Sequence, residues 1–368
     1  GGSNSNAIIA PDSIDPADLD LDGKATFTGR FANPPFLFGS GGVELLGLEM
    51  TAVLHALKQH ALAHPGAEVE LITKGVHFGT IAATAAGEID WTNLEGVERD
   101  LVVRPFGRKG EFVTVRDFDV GAMQFHFGMQ PVEVVGSDVD ADGDGYVNEI
   151  RVGDLSSLHV FAATLERPYM TRLSKAAKRG FGLFRTVGCV ECHKPALRTQ
   201  RRELPLRFPE VPTQPFANVY YEVDLSAPPV SFDKVRRGGL EIPLFSDLKR
   251  HDMGEALQED FAQASEQANR EFVTARLWGI ADTAPYLHDG RATTLTDAIL
   301  LHGGEAQPIR ERFEGLTDAE RRDLLAFLRS LRTPEDPVRD LLDASKAASK
   351  PKKHSEGWWR KLLRALFS

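Results

Sequence analysis

Cys189-Val190-Glu191-Cys192-His193 places two thiols and an imidazole within five residues. In a C-x-x-C-H arrangement each thiol can form a thioether to a vinyl group of haem, and the adjacent histidine is placed to bind the iron. These are the only cysteines in the chain. The competing readings of such a pair are a thioredoxin-like dithiol and half of a zinc site. The dithiol calls for a strand before it and no histidine, and the zinc site calls for a second ligand pair that no further cysteine supplies. One covalent haem c is therefore the expected cofactor, with Cys189 and Cys192 as thioether residues and His193 as proximal ligand.

The sixth position of the iron decides the chemistry. A strong second ligand gives electron transfer, and an open position gives peroxide or oxygen chemistry. Downstream of the motif the candidates are His251, Met253, His288 and His302. Residue type alone does not choose among them.

A second group of residues suits a hard cation. Asp138-Val-Asp140-Ala-Asp142-Gly143-Asp144-Gly145-Tyr146-Val-Asn148-Glu149 follows the EF-hand loop, with acids at positions one, three and five, glycine at six and glutamate at twelve. Asp138, Asp140 and Asp142 can each offer a carboxylate oxygen, Asp144 its backbone carbonyl, and Glu149 both oxygens. Position eight is Gly145, where paired EF-hands carry an aliphatic residue, so a lone structural Ca2+ loop is expected. The competing reading is an acidic solvated turn, in which these carboxylates would repel one another. Asp18-Leu-Asp20-Leu-Asp22-Gly23 begins the same pattern but has Gly29 at position twelve.

These residues must be held by elements that the hydrophobic spacing outlines. Leu45, Leu46, Leu48, Val53, Leu54 and Leu57 recur at helical spacing, which predicts a helix over 43–64. Short β-type runs follow at 68–73, 76–82, 101–104 and 111–116, then helices at 119–130 and 153–165. A basic helix over 172–187 runs directly into the C-x-x-C-H. Residues 195–247 read as Pro-rich and irregular. Two further helices are expected at 295–302 and 318–331, the latter opened by the capping box Thr317-Asp-Ala-Glu320. The expected fold is mainly α: a cytochrome c-type helical domain over 169–334, preceded over 30–168 by a mixed α/β domain without a haem motif. Residues 1–29 read as a lead-in and 335–356 as a linker.

The bulk numbers agree with a globular protein of 368 residues, 42% hydrophobic and 26% charged. A net charge of −10 argues against a nucleic-acid partner. No apolar run reaches the ~20 residues that span a bilayer. No signal peptide is visible, yet covalent haem attachment in bacteria takes place outside the cytoplasm, so a precursor with an export signal is expected. The last residues, 357–368, put Trp359, Leu362, Leu363, Leu366 and Phe367 on one helical face and Arg360, Lys361 and Arg364 mostly opposite. Such a basic amphipathic tail suits a membrane surface, a protein partner or its own haem domain.

Three stretches carry a family resemblance. Phe272 to Ala306, with Pro285-Tyr286-Leu287-His288-Asp289-Gly290 and His302-Gly303-Gly304, resembles the C-terminal haem domain of the bacterial di-haem cytochrome c peroxidase superfamily, in its di-haem oxidoreductase branch. Phe245-Ser-Asp-Leu-Lys-Arg-His251-Asp-Met253-Gly254 and Phe125-His-Phe-Gly-Met-Gln130 fit the same branch, and the resemblance runs over roughly 30–332. It implies that the residue fourteen places after His288, His302, is the distal ligand of a bis-histidine haem. It also implies that His288, Met253, Trp278 and Tyr286 surround the macrocycle, by packing or by relaying electrons. The superfamily carries two haems. Here the first motif would fall before Gly29-Arg-Phe-Ala-Asn-Pro-Pro-Phe, where about thirty residues hold no cysteine. Either an upstream stretch holds that motif or this member lacks it. The expected function is electron transfer to a redox partner protein by one bis-His haem c in an exported, periplasmic setting. The alternative is a haem-dependent peroxidase or other oxidoreductase whose second haem is not in this sequence.

Overall fold

Helix α1, Ser40–Ala63, is the longest element, and all twelve residues from Ser40 to Thr51 are buried. A helix closed off on every side is a core element rather than an amphipathic surface one. Its buried acids therefore need partners. Glu49 accepts from Lys74 Nζ at 2.5 Å and from the backbone N–H groups of Gln200 and Arg201. Glu44 accepts from Val115 N at 2.8 Å and lies 3.2 Å from His159 Nε2.

The computed structural model describes residues 36–335, apart from 210, 212, 215–216, 237 and 260–264, together with Asn33 and short backbone stretches before it. The acidic pattern at 18–23, the linker from 336 and the amphipathic tail at 357–368 lie outside the described residues. The described residues through Thr333 form one compact unit.

The expected strands Glu68–Thr73 and Val76–Ala83 form an antiparallel pair, extended by Ile89–Asp90. The first alternates exposed and buried side chains, as one face on α1 requires. The expected strand at 101–104 does not form. Leu101, Val102 and Val103 are buried, but Thr51 Oγ1 takes the N–H of Val103 and Asp100 takes that of Val102, so these donors are satisfied without a strand partner. The run at 111–116 likewise yields one bridge, Phe112 to Phe106, before Thr114 caps helix α2, Val115–Phe127. Helices α3, Val132–Val135, and α4, Val152–Ala163, complete this half.

Residues 195–247 contain five short strands rather than an irregular wrap: Leu197–Arg198, Glu203–Arg207, Val219–Asp224, Asp233–Lys234 and Leu240–Ile242. Their inward residues Leu204, Leu206, Leu240 and Ile242, with Leu225 and Phe232 just beside the strands, join the core built on α1. All the paired strands of the described residues are antiparallel, in sheets of two or three. Helices and small sheets thus share both halves.

A second core carries the haem motif. Helix α5, Lys175–Val187, is capped by Ser174 and packs on α9, Asp318–Leu328; between them come α6, Glu266–Arg270, α7, Leu295–Leu300, and α8, Gln307–Glu314. The Thr317/Glu320 capping box of α9 forms as expected. That helix stops at Leu328, and Leu331–Arg332 pairs instead with Tyr169–Met170, closing the two ends of this core on each other. Phe184, Phe245, Phe313, Leu324, Phe327 and Tyr286 fill it. Gly180 sits where α5 meets α9: a Cβ there would lie 1.9 Å from the carbonyl oxygen of Asp323. Gly180→Ala is expected to force the helices apart and cost about 1–3 kcal/mol, read as a lowered thermal midpoint.

Candidate functional site

Gly188 ends α5 in the left-handed conformation, φ 106°, and Cys189–Glu191 follow as a single 3-10 turn. His193 closes that turn by donating its backbone N–H to Cys189 O. The motif is thus rigidly delivered from a helix end. Both thiols are free and partly covered, and burial pushes the Cys189 thiol up to about 12.

The His193 ring is fixed by a hydrogen bond from Nδ1 to the carbonyl oxygen of Phe245, 3.0 Å. The His302 ring is fixed the same way, Nδ1 to Ala298 O, 2.8 Å. A carbonyl only accepts, so in both rings Nδ1 carries the proton and Nε2 keeps its lone pair. The two ring centroids lie 6.5 Å apart, with the ring planes tilted by 53°. One metal bound by an imidazole on each side, at about 2.0–2.1 Å from nitrogen, requires roughly this separation once the ring radii are added. Burial lowers His193 to about 4, with the neighbouring His302 adding to it, and burial also lowers His302. Both are therefore neutral near pH 7, the form that ligates. Aromatic rings complete the setting, with Phe184 6.5 Å from His193 and 6.1 Å from Phe245. The donor set, two thiols on one turn and two neighbouring imidazoles, fits a haem c.

The other sequence candidates take different places. His251 has both nitrogens engaged, Nε2 with Asp247 at 2.9 Å and Nδ1 with Glu305 at 2.7 Å, and Nδ1 lies 3.9 Å from Cys192 Sγ. Burial opposes its charge, but the hydrogen bonds with Asp247, Cys192 and Glu305 outweigh that and push it up to about 12. It offers no lone pair to a metal. Met253 donates its N–H to Arg270 O, and its carbonyl lies against Gly303. His288 stacks on Phe272, 4.6 Å between centroids, 3.8 Å from Glu259. Tyr286 belongs to the core around the motif, whereas Trp278 stacks on Phe232 in the α1 core. Asp247 and Glu305 were not singled out by sequence. Their only signal there was an acid four residues before His251 and another three after His302.

In the acidic loop Asp140, Asp142 and Asp144 bring carboxylate oxygens within 4.8 Å of one another, all exposed. Asp144 contributes its side chain rather than its carbonyl. Asp138 pairs with Asn148, and Glu149 accepts from Gln130 N at 2.7 Å, so these two stand outside the cluster.

A helix-delivered C-x-x-C-H with a second, half-buried imidazole 6.5 Å away, centroid to centroid, suits the attachment of a haem c. Residues 236–331 match the family described as "Di-haem oxidoreductase, putative peroxidase". The chain is similar to a cytochrome-c peroxidase of Denitromonas iodatirespirans, 28% identical over 178 residues. That match covers 46% of this chain and 43% of the relative, so the chain spans less than half of that protein. Among solved structures it is similar to a MauG-like protein associated with microbial copper homeostasis, 16% identical over 83% of this chain and 93% of the other, TM-score 0.36. A Kuenenia stuttgartiensis hydrazine synthase is 20% identical over 70% of this chain and 78% of that one, TM-score 0.34.

The buried imidazoles make a pH prediction for haem-free protein. Their folded pKa values lie below the ordinary value of about 6.5, so the unfolded chain binds protons that the folded one refuses. Stability should fall as pH drops from about 6.5 towards about 4, the value to which His193 is lowered. Thermal melts across that window should show a smaller fall in the doubly substituted His193→Gln/His302→Gln chain.

Proposed function

We propose that the protein carries one haem c, thioether-bound through Cys189 and Cys192 and axially held by His193 and His302, and that it transfers electrons in a peroxidase-like redox system. The observation that supports this is the pair of neighbouring imidazoles, 6.5 Å between centroids, each with Nδ1 tied to a backbone carbonyl. When bound, haem c supplies a one-electron iron couple. His193 and His302 would hold the iron, their ring orientations set by the carbonyls of Phe245 and Ala298 and their surroundings by apolar side chains. Were both imidazoles bound to the iron, peroxide would have no place to bind, which favours transfer over peroxide activation. The same reading implies attachment of haem outside the cytoplasm, a periplasmic location and a redox partner protein, with the 357–368 tail as a contact for membrane or partner. Similarity to a cytochrome-c peroxidase supports a second reading, an enzyme reducing peroxide with a haem elsewhere in a longer protein.

Optical spectra decide between them. The ferric protein should be low-spin and indifferent to peroxide. His302→Ala should turn it high-spin, while His288→Ala and Met253→Leu should leave it low-spin. A parent protein that is high-spin and responds to peroxide would move the peroxidase reading into first place.

For the acidic loop the proposal is a structural Ca2+ held by Asp140, Asp142 and Asp144, with Asp138 and Glu149 turning in to complete it. Calcium should then raise the thermal midpoint of the parent protein, and Asp140→Asn/Asp142→Asn should abolish that response.

A further inference from the structure

His251 stands between Cys192, the loop that orients His193 and the turn that follows His302. It lies on the short strand Arg250–Asp252, which pairs with Glu271–Val273. Its ring is buried, 8% exposed, and 3.9 Å from the sulfur of Cys192. Asp247, on the loop whose Phe245 carbonyl orients His193, holds Nε2. Glu305, three residues beyond His302, holds Nδ1 and also accepts from the backbone N–H of Asp252 at 2.9 Å. The turn between His302 and Glu305 is drawn tight against this strand: Gly304, at φ +51°, leaves only 2.2 Å between a would-be Cβ and Asp252 O. A carboxylate accepts, so an imidazole that bonds one at each nitrogen donates from both and is a cation.

We propose that His251 is a positioning residue that sets the reduction potential of the haem: its buried positive charge, clamped between Asp247 and Glu305 beside Cys192, raises the potential and joins the proximal and distal ligand segments. This rests on the haem reading above. The physical argument is electrostatic. The oxidised iron centre carries one more positive charge than the reduced one, and a fixed cation in a medium of low dielectric disfavours the more positive state. With its two carboxylates the imidazolium forms a trio of net charge −1. Without it the trio is −2 and favours ferric iron. No atom is transferred; one electron enters or leaves the iron, supplied or taken by whatever partner or mediator is present.

The test is a redox titration of haem-loaded protein, with optical spectra and haem content recorded on each variant. His251→Gln is expected to lower the equilibrium constant for reduction by about tenfold, which is about 59 mV for one electron. His251→Lys, which keeps a cation, should stay within about threefold of the parent. Glu305→Gln removes a negative charge and should shift the potential upward. A His251→Gln protein with parental spectrum, parental haem content and parental potential overturns the proposal. If that variant does not hold haem, Glu305→Gln decides: an upward shift sustains the proposal and no shift overturns it. Failure of the haem reading itself is seen separately, as a high-spin spectrum in the unsubstituted protein.

Discussion

An imidazole binds metal through one nitrogen reliably only when its other nitrogen is held. Here both rings depend on a single hydrogen bond to a main-chain carbonyl, from Phe245 for His193 and from Ala298 for His302. A backbone carbonyl points where its loop or helix points it, so the accuracy of the site is the accuracy of two backbone segments. Ala298 lies within α7, whose register Thr294 fixes by capping Asp297 N. Phe245 lies in a loop and has φ +55°, a conformation that costs a non-glycine residue roughly 1–2 kcal/mol. Its side chain is buried against Phe184 and Phe327, and that packing holds the backbone in the unfavourable region.

The motif itself needs a fixed exit from α5. Gly188 supplies the left-handed turn, and the close approach of Gly180 to the backbone of α9 sets the distance between the helices. Arg312 Nε donates to the carbonyl oxygen of Val187 at 2.6 Å, tying α8 to the last turn of α5. The chain enters this core at Tyr169–Met170 and leaves it at Leu331–Arg332, and those two segments are paired. Proximal and distal elements are therefore referred to one frame, with α5 and α9 as its axis.

Much of this was legible in sequence because it is local. The C-x-x-C-H, the helices at α1, α4, α5, α7 and α9, the first hairpin and the Thr317/Glu320 cap all follow from spacing over a few residues. What stayed hidden depends on distant partners. Leu101–Arg104 has strand-like residues but finds its hydrogen bonds on Thr51 and Asp100. Helix α8 has only Ile309 and Phe313 as apolar anchors among charged residues, too few for a period to show. The strands of 195–247 are two to six residues long and break up among prolines. Resemblance points to His302, whose ring centroid lies 6.5 Å from that of His193. The assignment of Trp278 to the same surroundings meets a ring buried in the other core, where Gly39 leaves room for it. The carboxylates on His251 could not be found by pattern, since Glu305 is 54 residues away.

The half of the chain without a cysteine motif earns its place as a buttress for the loop that carries Phe245, Asp247 and His251. Lys249 reaches Glu95 at 2.7 Å, Arg250 reaches Glu98 at 2.6 Å, and the N–H of Arg250 donates to Gly96 O. Lys109 donates to three carbonyls, those of Ala268, Asn269 and Glu271, and lies 3.4 Å above the ring of Phe272, on the strand that pairs with His251. Its surroundings are dry enough that burial lowers it to about 8. Arg108 pairs with Glu259 beside His288. The contacts of Lys249, Arg250 and Lys109 thus hold the site loop and the segment that leads into its partner strand. The loop so held carries both the acceptor of His193, Phe245 O, and one of the two carboxylates on His251, Asp247. The α1 core, with the buried Glu44–His159 contact and the Glu49–Lys74 pair fixing its charges, thus gives the ligand segments a rigid wall to rest on.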